Sequence, residues 1–143
     1  RADTLEAGFI SQADRLVAYN IKDSMMDSSI EDDLKIITKN IPTDKMILVT
    51  HAPPYDTACD YTARENNKAH VGSKAVRKFI EETQPLVTLH GHIHDTVELS
   101  KKFPDHIGNT LCASVGNDHI TPSLYIISGE ISNQITLKRI LVE

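Results

Sequence analysis

Leu89-His90-Gly91-His92-Ile93-His94, read together with Thr50-His51-Ala52-Pro53-Pro54 about forty residues earlier, is the stretch around which this chain is organised. Four of the seven histidines fall in these two short patches. Val87 to Leu89 reads as a strand with His92 and His94 at its end, where residues two apart point to one side and lie about 6.6 Å apart along the chain. Imidazoles at that spacing do not easily share one small ion, but each can hold one of a pair of ions about 3.5 to 4 Å apart. Gly91 lets the backbone bend and approach such a site closely. A lone histidine is most often a packed or solvated residue; the clustering is what favours a metal centre. His90 reads equally as a support behind the ligands or as a packing residue.

Outward from this stretch, Met46 to Thr50 is a continuous apolar run after a Thr43-Asp44 turn and reads as a strand buried on both faces. It delivers His51 to a loop opened by Pro53 and Pro54. Ser73 is a natural N-cap for a helix whose buried stripe is Val76, Phe79 and Ile80. Gln84-Pro85 closes that helix, and Leu86 to Leu89 returns to the sheet. The result is a β-α-β unit with both histidine loops at strand C-terminal ends, where open α/β sheets place their ligands. Between them, Tyr55 to Gly72 reads as a long polar connection of the kind that is usually functional or mobile. Its Arg64, Asn66, Asn67, Lys68 and His70 are phosphate-contact candidates set against the plainer reading of a solvated face; His70 leads them because it lies just before a helix.

Upstream, Leu16 to Tyr19 reads as a short strand. Ser28 with Glu31 has capping-box spacing for a helix with Ile30, Leu34 and Ile37 on one face. That helix ends near Asn40, before Pro42, and Asp32 and Asp33 are first-turn carboxylates favoured by its dipole. Downstream of His94 the pattern predicts short strands over Thr96 to Leu99, Thr110 to Val115, Leu124 to Ser128 and Ile131 to Leu141, the last covered on both sides.

A chain of 143 residues, 40% hydrophobic and 24% charged, suits a single globular unit. The net charge of -5 gives no general attraction to nucleic acid or an anionic membrane. Cys59 and Cys112 are too few for a disulfide framework and form no metal-type pair, so both read as small buried thiols in a reducing cytoplasm. No apolar run approaches a membrane span, and no secretion signal is present. A start at Arg1 rather than Met fits a fragment.

The two patches resemble the C-terminal half of a calcineurin-like metallophosphoesterase. Leu48-Val49-Thr50-His51-Ala52-Pro53-Pro54 and the later Gly91-His92-Ile93-His94 match that family's motifs, and Val71 to Ile80 with Gln84-Pro85-Leu86 extend the likeness over roughly Met46 to Gly116. The family's N-terminal motifs, Asp-x-His, Gly-Asp-x-x-Asp and Gly-Asn-His-Asp or Gly-Asn-His-Glu, are absent. Gly116-Asn117-Asp118-His119 has similar letters in another order and position and reads as a loop of coincidental composition.

The resemblance implies an α/β fold, the C-terminal half of a metallophosphoesterase-type β-sandwich flanked by helices, with residues 1–143 a single partial domain. It implies two-metal hydrolysis of a phosphate mono- or diester, with His51 and His92 on one ion and His94 on the other. Histidine ligands suit Mn, Fe, Ni or Zn. The partners it implies are a phosphate-ester substrate and the missing N-terminal half; alone, the chain is expected to be inactive and to associate with copies of itself. Two other readings compete. One is a non-catalytic metal-binding or interaction remnant of the same fold, since three histidines do not fill a two-metal site but could hold a single Zn with water. The other is a histidine-triad nucleotide hydrolase, which His90-Gly91-His92-Ile93-His94 matches superficially but which leaves His51-Ala52-Pro53-Pro54 unexplained.

Overall fold

The computed structural model describes residues 8–12, 15–19, 28–64, 67–117, 123–129 and 135–141. Its fold is mixed α/β. In chain order the elements are β1 (Gly8–Gln12), β2 (Arg15–Tyr19), α1 (Ile30–Thr38), β3 (Ile47–Thr50), β4 (Tyr61–Arg64), β5 (Asn67–His70), α2 (Lys74–Thr83), β6 (Val87–His90), α3 (Thr96–Ser100), β7 (Asp105–Ile107), β8 (Thr110–Ser114), β9 (Ser123–Ser128) and β10 (Thr136–Leu141). A four-stranded mixed sheet of order β3-β6-β8-β7 is the centre, with β3, β6 and β8 parallel and β7 antiparallel to β8. The other strands form three antiparallel hairpins, β1-β2, β4-β5 and β9-β10.

Strand pleating divides the core in two. On one face Leu48, Ile107 and Cys112 meet Leu34 of α1 and Val76, Phe79 and Ile80 of α2. On the other, Val87 and Ala113 carry Leu137 of the β9-β10 hairpin. The hairpin leaves the neighbouring β3 uncovered: Ile47 and Val49, in register with Val87 and Leu89, are 47% and 71% exposed. The expectation of a strand buried on both faces is therefore corrected, because among the described residues β3 is an edge strand with cover on the helical face alone. The final strand departs in a similar way: Ile140 is exposed on the face opposite the buried Leu137, and Leu141, on the Leu137 face but at the strand end, is exposed as well. Residues 131–134 of that expected strand lie outside the described residues.

Local chemistry explains the helix ends. Ser29, not Ser28, caps α1: its hydroxyl accepts from the Asp32 amide at 3.1 Å, and the Asp32 carboxylate accepts from the Ser29 amide at 3.3 Å. Glu31 instead pairs with Lys35 and Lys78. Ile37 is exposed, so the buried face of α1 rests on Leu34 with Ile30 packed beside it. Ser73 caps α2 by accepting from Val76, and α2 closes at Gln84 in a left-handed conformation, as the sequence suggests. Thr96 to Leu99 is helix rather than strand. Four residues match either period, and the buried Thr96 hydroxyl fixes the choice by donating to the Ala58 carbonyl at 2.6 Å and accepting from the Tyr61 amide at 3.2 Å. The connection from Tyr55 to Gly72 is also more regular than expected, because it carries the β4-β5 hairpin.

Candidate metal centre

Both histidine loops leave the C-terminal ends of adjacent parallel strands, with Thr50 level with His90. On the helical face the His90 ring lies between two hydroxyls, Thr50 Oγ1 at 2.9 Å from Nδ1 and Thr88 Oγ1 at 2.8 Å from Nε2. Thr50 Oγ1 donates to the Ala52 carbonyl, so it accepts from Nδ1–H, and Thr88 then donates to Nε2. Burial pushes the His90 pKa down to about 4, against weaker upward pulls from the Ala52 and Thr50 backbone. His90 is therefore a neutral pin across the two strand ends, with both ring nitrogens engaged by hydroxyls.

Directly after this pin the Gly91 amide donates to the His51 carbonyl at 3.2 Å, and a Cβ on Gly91 would stand 3.3 Å from His51 Nδ1. The Ile93 amide donates back to the Gly91 carbonyl at 2.9 Å, closing a three-residue turn whose central residue, His92, has φ +69°. Such a γ-turn is rare and strained for a residue with a side chain. Strand alternation consequently stops at His90 and does not set the relation of His92 to His94, contrary to the pleat-based expectation. The turn brings His92 Nδ1 to 3.2 Å from His51 Nε2, with the rings edge-on at 72°. Two imidazole nitrogens bound to one ion at about 2.1 Å lie about 3.0 Å apart at a right angle and about 3.4 Å apart at the tetrahedral angle. The two rings are hydrogen-bonded to each other, and because their separation falls between these values an ion in place of the shared proton would fit the same pair of nitrogens.

His94 is exposed beyond the buried Ile93, and its carbonyl accepts from the Asn117 amide at 2.9 Å. The Gly116-Asn117 turn, given no role on sequence grounds, thus braces the backbone behind His94; Asp118 and His119 lie outside the described residues. Among the described residues no group of three or more His, Cys, Asp or Glu side chains converges as a metal site, so the structure joins His51 to His92 and does not add His94 to them. Cys59 and Cys112 are buried and unbridged. Burial pushes both thiols up, Cys112 to about 11, so neither is poised as a nucleophile at neutral pH.

Of the phosphate-contact candidates, His70 is tied to Asp60, its Nδ1 2.7 Å from Asp60 Oδ1. Asn66 lies outside the described residues, as do the side chains of Arg64, Asn67 and Lys68. Asp60, which sequence reasoning passed over, is fully buried and accepts from the amides of Asp56, Thr57 and Gly72. It joins the loop after His51 to the start of α2. Its signal in the sequence was an aspartate ten residues before a histidine in a loop, which is too common to single out.

No family model and no solved structure matches the chain. An uncharacterized protein of Methanocaldococcus jannaschii is 30% identical over 121 residues, which make up 83% of this chain and 50% of that protein. The chain thus spans about half the length of the curated relative it matches. Among the described residues no helix is long and apolar enough to cross a membrane.

Proposed function

We propose that the chain is the C-terminal half of a calcineurin-like metallophosphoesterase domain whose whole protein hydrolyses a phosphate mono- or diester. The observation that carries this reading is the 3.2 Å approach of His51 Nε2 and His92 Nδ1 at the ends of two adjoining parallel strands. In the complete protein His51 and His92 would hold one divalent ion, of Mn, Fe, Ni or Zn, and His94 would be a ligand of the second. Bound ions of this kind polarise phosphoryl oxygens and supply hydroxide at neutral pH. The chain's own part is to fix the imidazoles: His90 locks the strand ends, and the turn at His92 aims its ring. Carboxylates that would bridge the ions would come from the other half, which accords with a relative of which the matched stretch makes up 50%. A reducing cytoplasm suits the two unbridged, buried thiols.

The test is turnover of an aryl phosphate and an aryl phosphodiester by the whole protein with added Mn. His92→Ala and His94→Ala are expected to abolish it, as is a strong chelator. Full activity of both variants, or turnover untouched by chelator, would sink the two-metal mechanism and reopen the histidine-triad reading. A second reading, a metal-binding module without turnover, is favoured by the lack of a third converging ligand among the described residues. Tight binding of a single ion with no turnover by the whole protein would select it.

A further inference from the structure

Among the described residues four non-glycine residues have a left-handed φ: Gln84 and Lys101 end helices, His92 makes the turn described above, and the fourth is Asp56 at +57°. The Asp56 backbone is fixed from two sides, its amide donating to Asp60 Oδ2 at 3.1 Å and its carbonyl accepting from Arg77 Nη1 at 2.7 Å. Its carboxylate, in contrast, is 64% exposed and stands 3.6 Å from His70 Nε2 and 3.9 Å from Arg77 Nη1, both too long for hydrogen bonds. Arg77 donates from Nη1 to the Tyr55 and Asp56 carbonyls and from Nε to Glu81.

His70 is oriented by the same hub. Asp60 accepts three amide hydrogens and serves as an acceptor, so the network assigns the proton of His70 to Nδ1, and Nε2 is an acceptor in the neutral ring. Asp56 and His70 line an open cleft of about 440 Å³, together with Tyr61, Leu99 and the Lys102-Asp105 ion pair. That volume suits a small organic molecule. The Tyr61 ring lies 5.0 Å from the His70 ring, and nearby Lys74 already sits 5.2 Å from the centre of the Tyr55 ring, a cation on an aromatic face. With Lys102 matched by Asp105, the exposed carboxylate facing the cleft is that of Asp56, 3.6 Å from His70 Nε2 and held only at 3.9 Å by the Arg77 guanidinium.

We propose that this cleft binds a small organic cation, an ammonium or guanidinium group, between the Asp56 carboxylate and His70 Nε2, with its carbon skeleton against Tyr61 and Leu99. A guanidinium has N–H donors for both acceptors, whereas a carboxylate or phosphate would face two acceptors with none. The proposal is independent of the metal centre.

The probe is phenylguanidinium, with phenylacetate as an anion of similar size, titrated calorimetrically into chelator-treated protein while the histidine ring resonances are followed by NMR. Phenylguanidinium is expected to bind with a Kd on the order of 1 mM, shifting His70 and leaving His51 and His92 in place. Asp56→Asn, which keeps the shape and suits a left-handed φ, should weaken binding about tenfold, and His70→Ala should weaken it as well. Equal or tighter binding of phenylacetate, no saturation by about 20 mM phenylguanidinium, or an unchanged affinity in Asp56→Asn overturns the proposal. The comparison of cation with anion on the unaltered protein decides the matter even if a variant fails to fold.

Discussion

At +69°, His92 holds a φ that costs a residue with a side chain about 1 to 3 kcal/mol. The buried Ile93 anchors the turn from the core side, so the backbone cannot relax without pulling an apolar side chain into water. Relief without such movement is open to glycine alone. His92→Gly is therefore expected to raise the urea-unfolding free energy of chelator-treated protein by about 1 kcal/mol while weakening Mn or Zn binding at least tenfold. His92→Ala should lose the ion equally but gain no stability; a glycine variant less stable than the alanine one would sink the strain account. Composition marked out two histidine patches at strand ends, while the pairing of His51 with His92 in particular came only from the resemblance. The turn that joins them was not legible, since a γ-turn centred on a histidine has no compositional mark. His90 could not be assigned from sequence either; its role follows from the hydroxyls of Thr50 and Thr88, which only the strand register brings to its two nitrogens.

Among the elements, α2 shows how directly capping chemistry and periodicity can be read. Ser73, Val76, Phe79, Ile80 and Gln84 all do what their spacing indicates. The residue before the cap is held more tightly than the cap itself. A Cβ on Gly72 would lie 2.6 Å from the Pro53 carbonyl oxygen and 2.8 Å from Asp60 Cβ, contacts that real side chains do not make. Ser73→Ala removes one capping hydrogen bond and should cost about 1 kcal/mol. Gly72→Ala must push apart the Pro53-Pro54 turn and the Asp60 hub and is expected to cost more, about 2 to 4 kcal/mol. Urea unfolding of the two variants checks the order, and a Gly72→Ala protein as stable as Ser73→Ala would show that the turn yields easily. Thr96 to Leu99 was misread for the opposite reason: its four residues fit both periods, and the deciding contact comes from Ala58 and Tyr61 in a distant loop.

For the molecule as a whole, the uncovered side of β3 sets the behaviour. Its hydrogen-bonding edge opposite β6 is unpaired among the described strands, and Ile47 and Val49 face outward beside it. An apolar edge strand invites pairing with another chain, and two identical edges can close on each other about a twofold axis. The isolated chain is expected to associate across a concentration series in sedimentation, and Val49→Lys to shift it toward monomer. Monomeric behaviour of the unaltered chain at every concentration would count against an open edge. Sequence alone placed this strand correctly but gave it two covered faces, because an apolar run records what a strand can bury and not what is present to bury it. The position of β3 has a further consequence for the imidazole pair. His92 follows the central strand, paired on both sides, while His51 follows the edge strand, paired on one. Edge strands fray at lower free energy than the strands inside them. An ion shared by the two rings would act as a clasp on the loosest margin of the sheet, slowing amide hydrogen exchange along β3 far more than along β6, and its escape would keep time with the fraying of that margin instead of the unfolding of the domain.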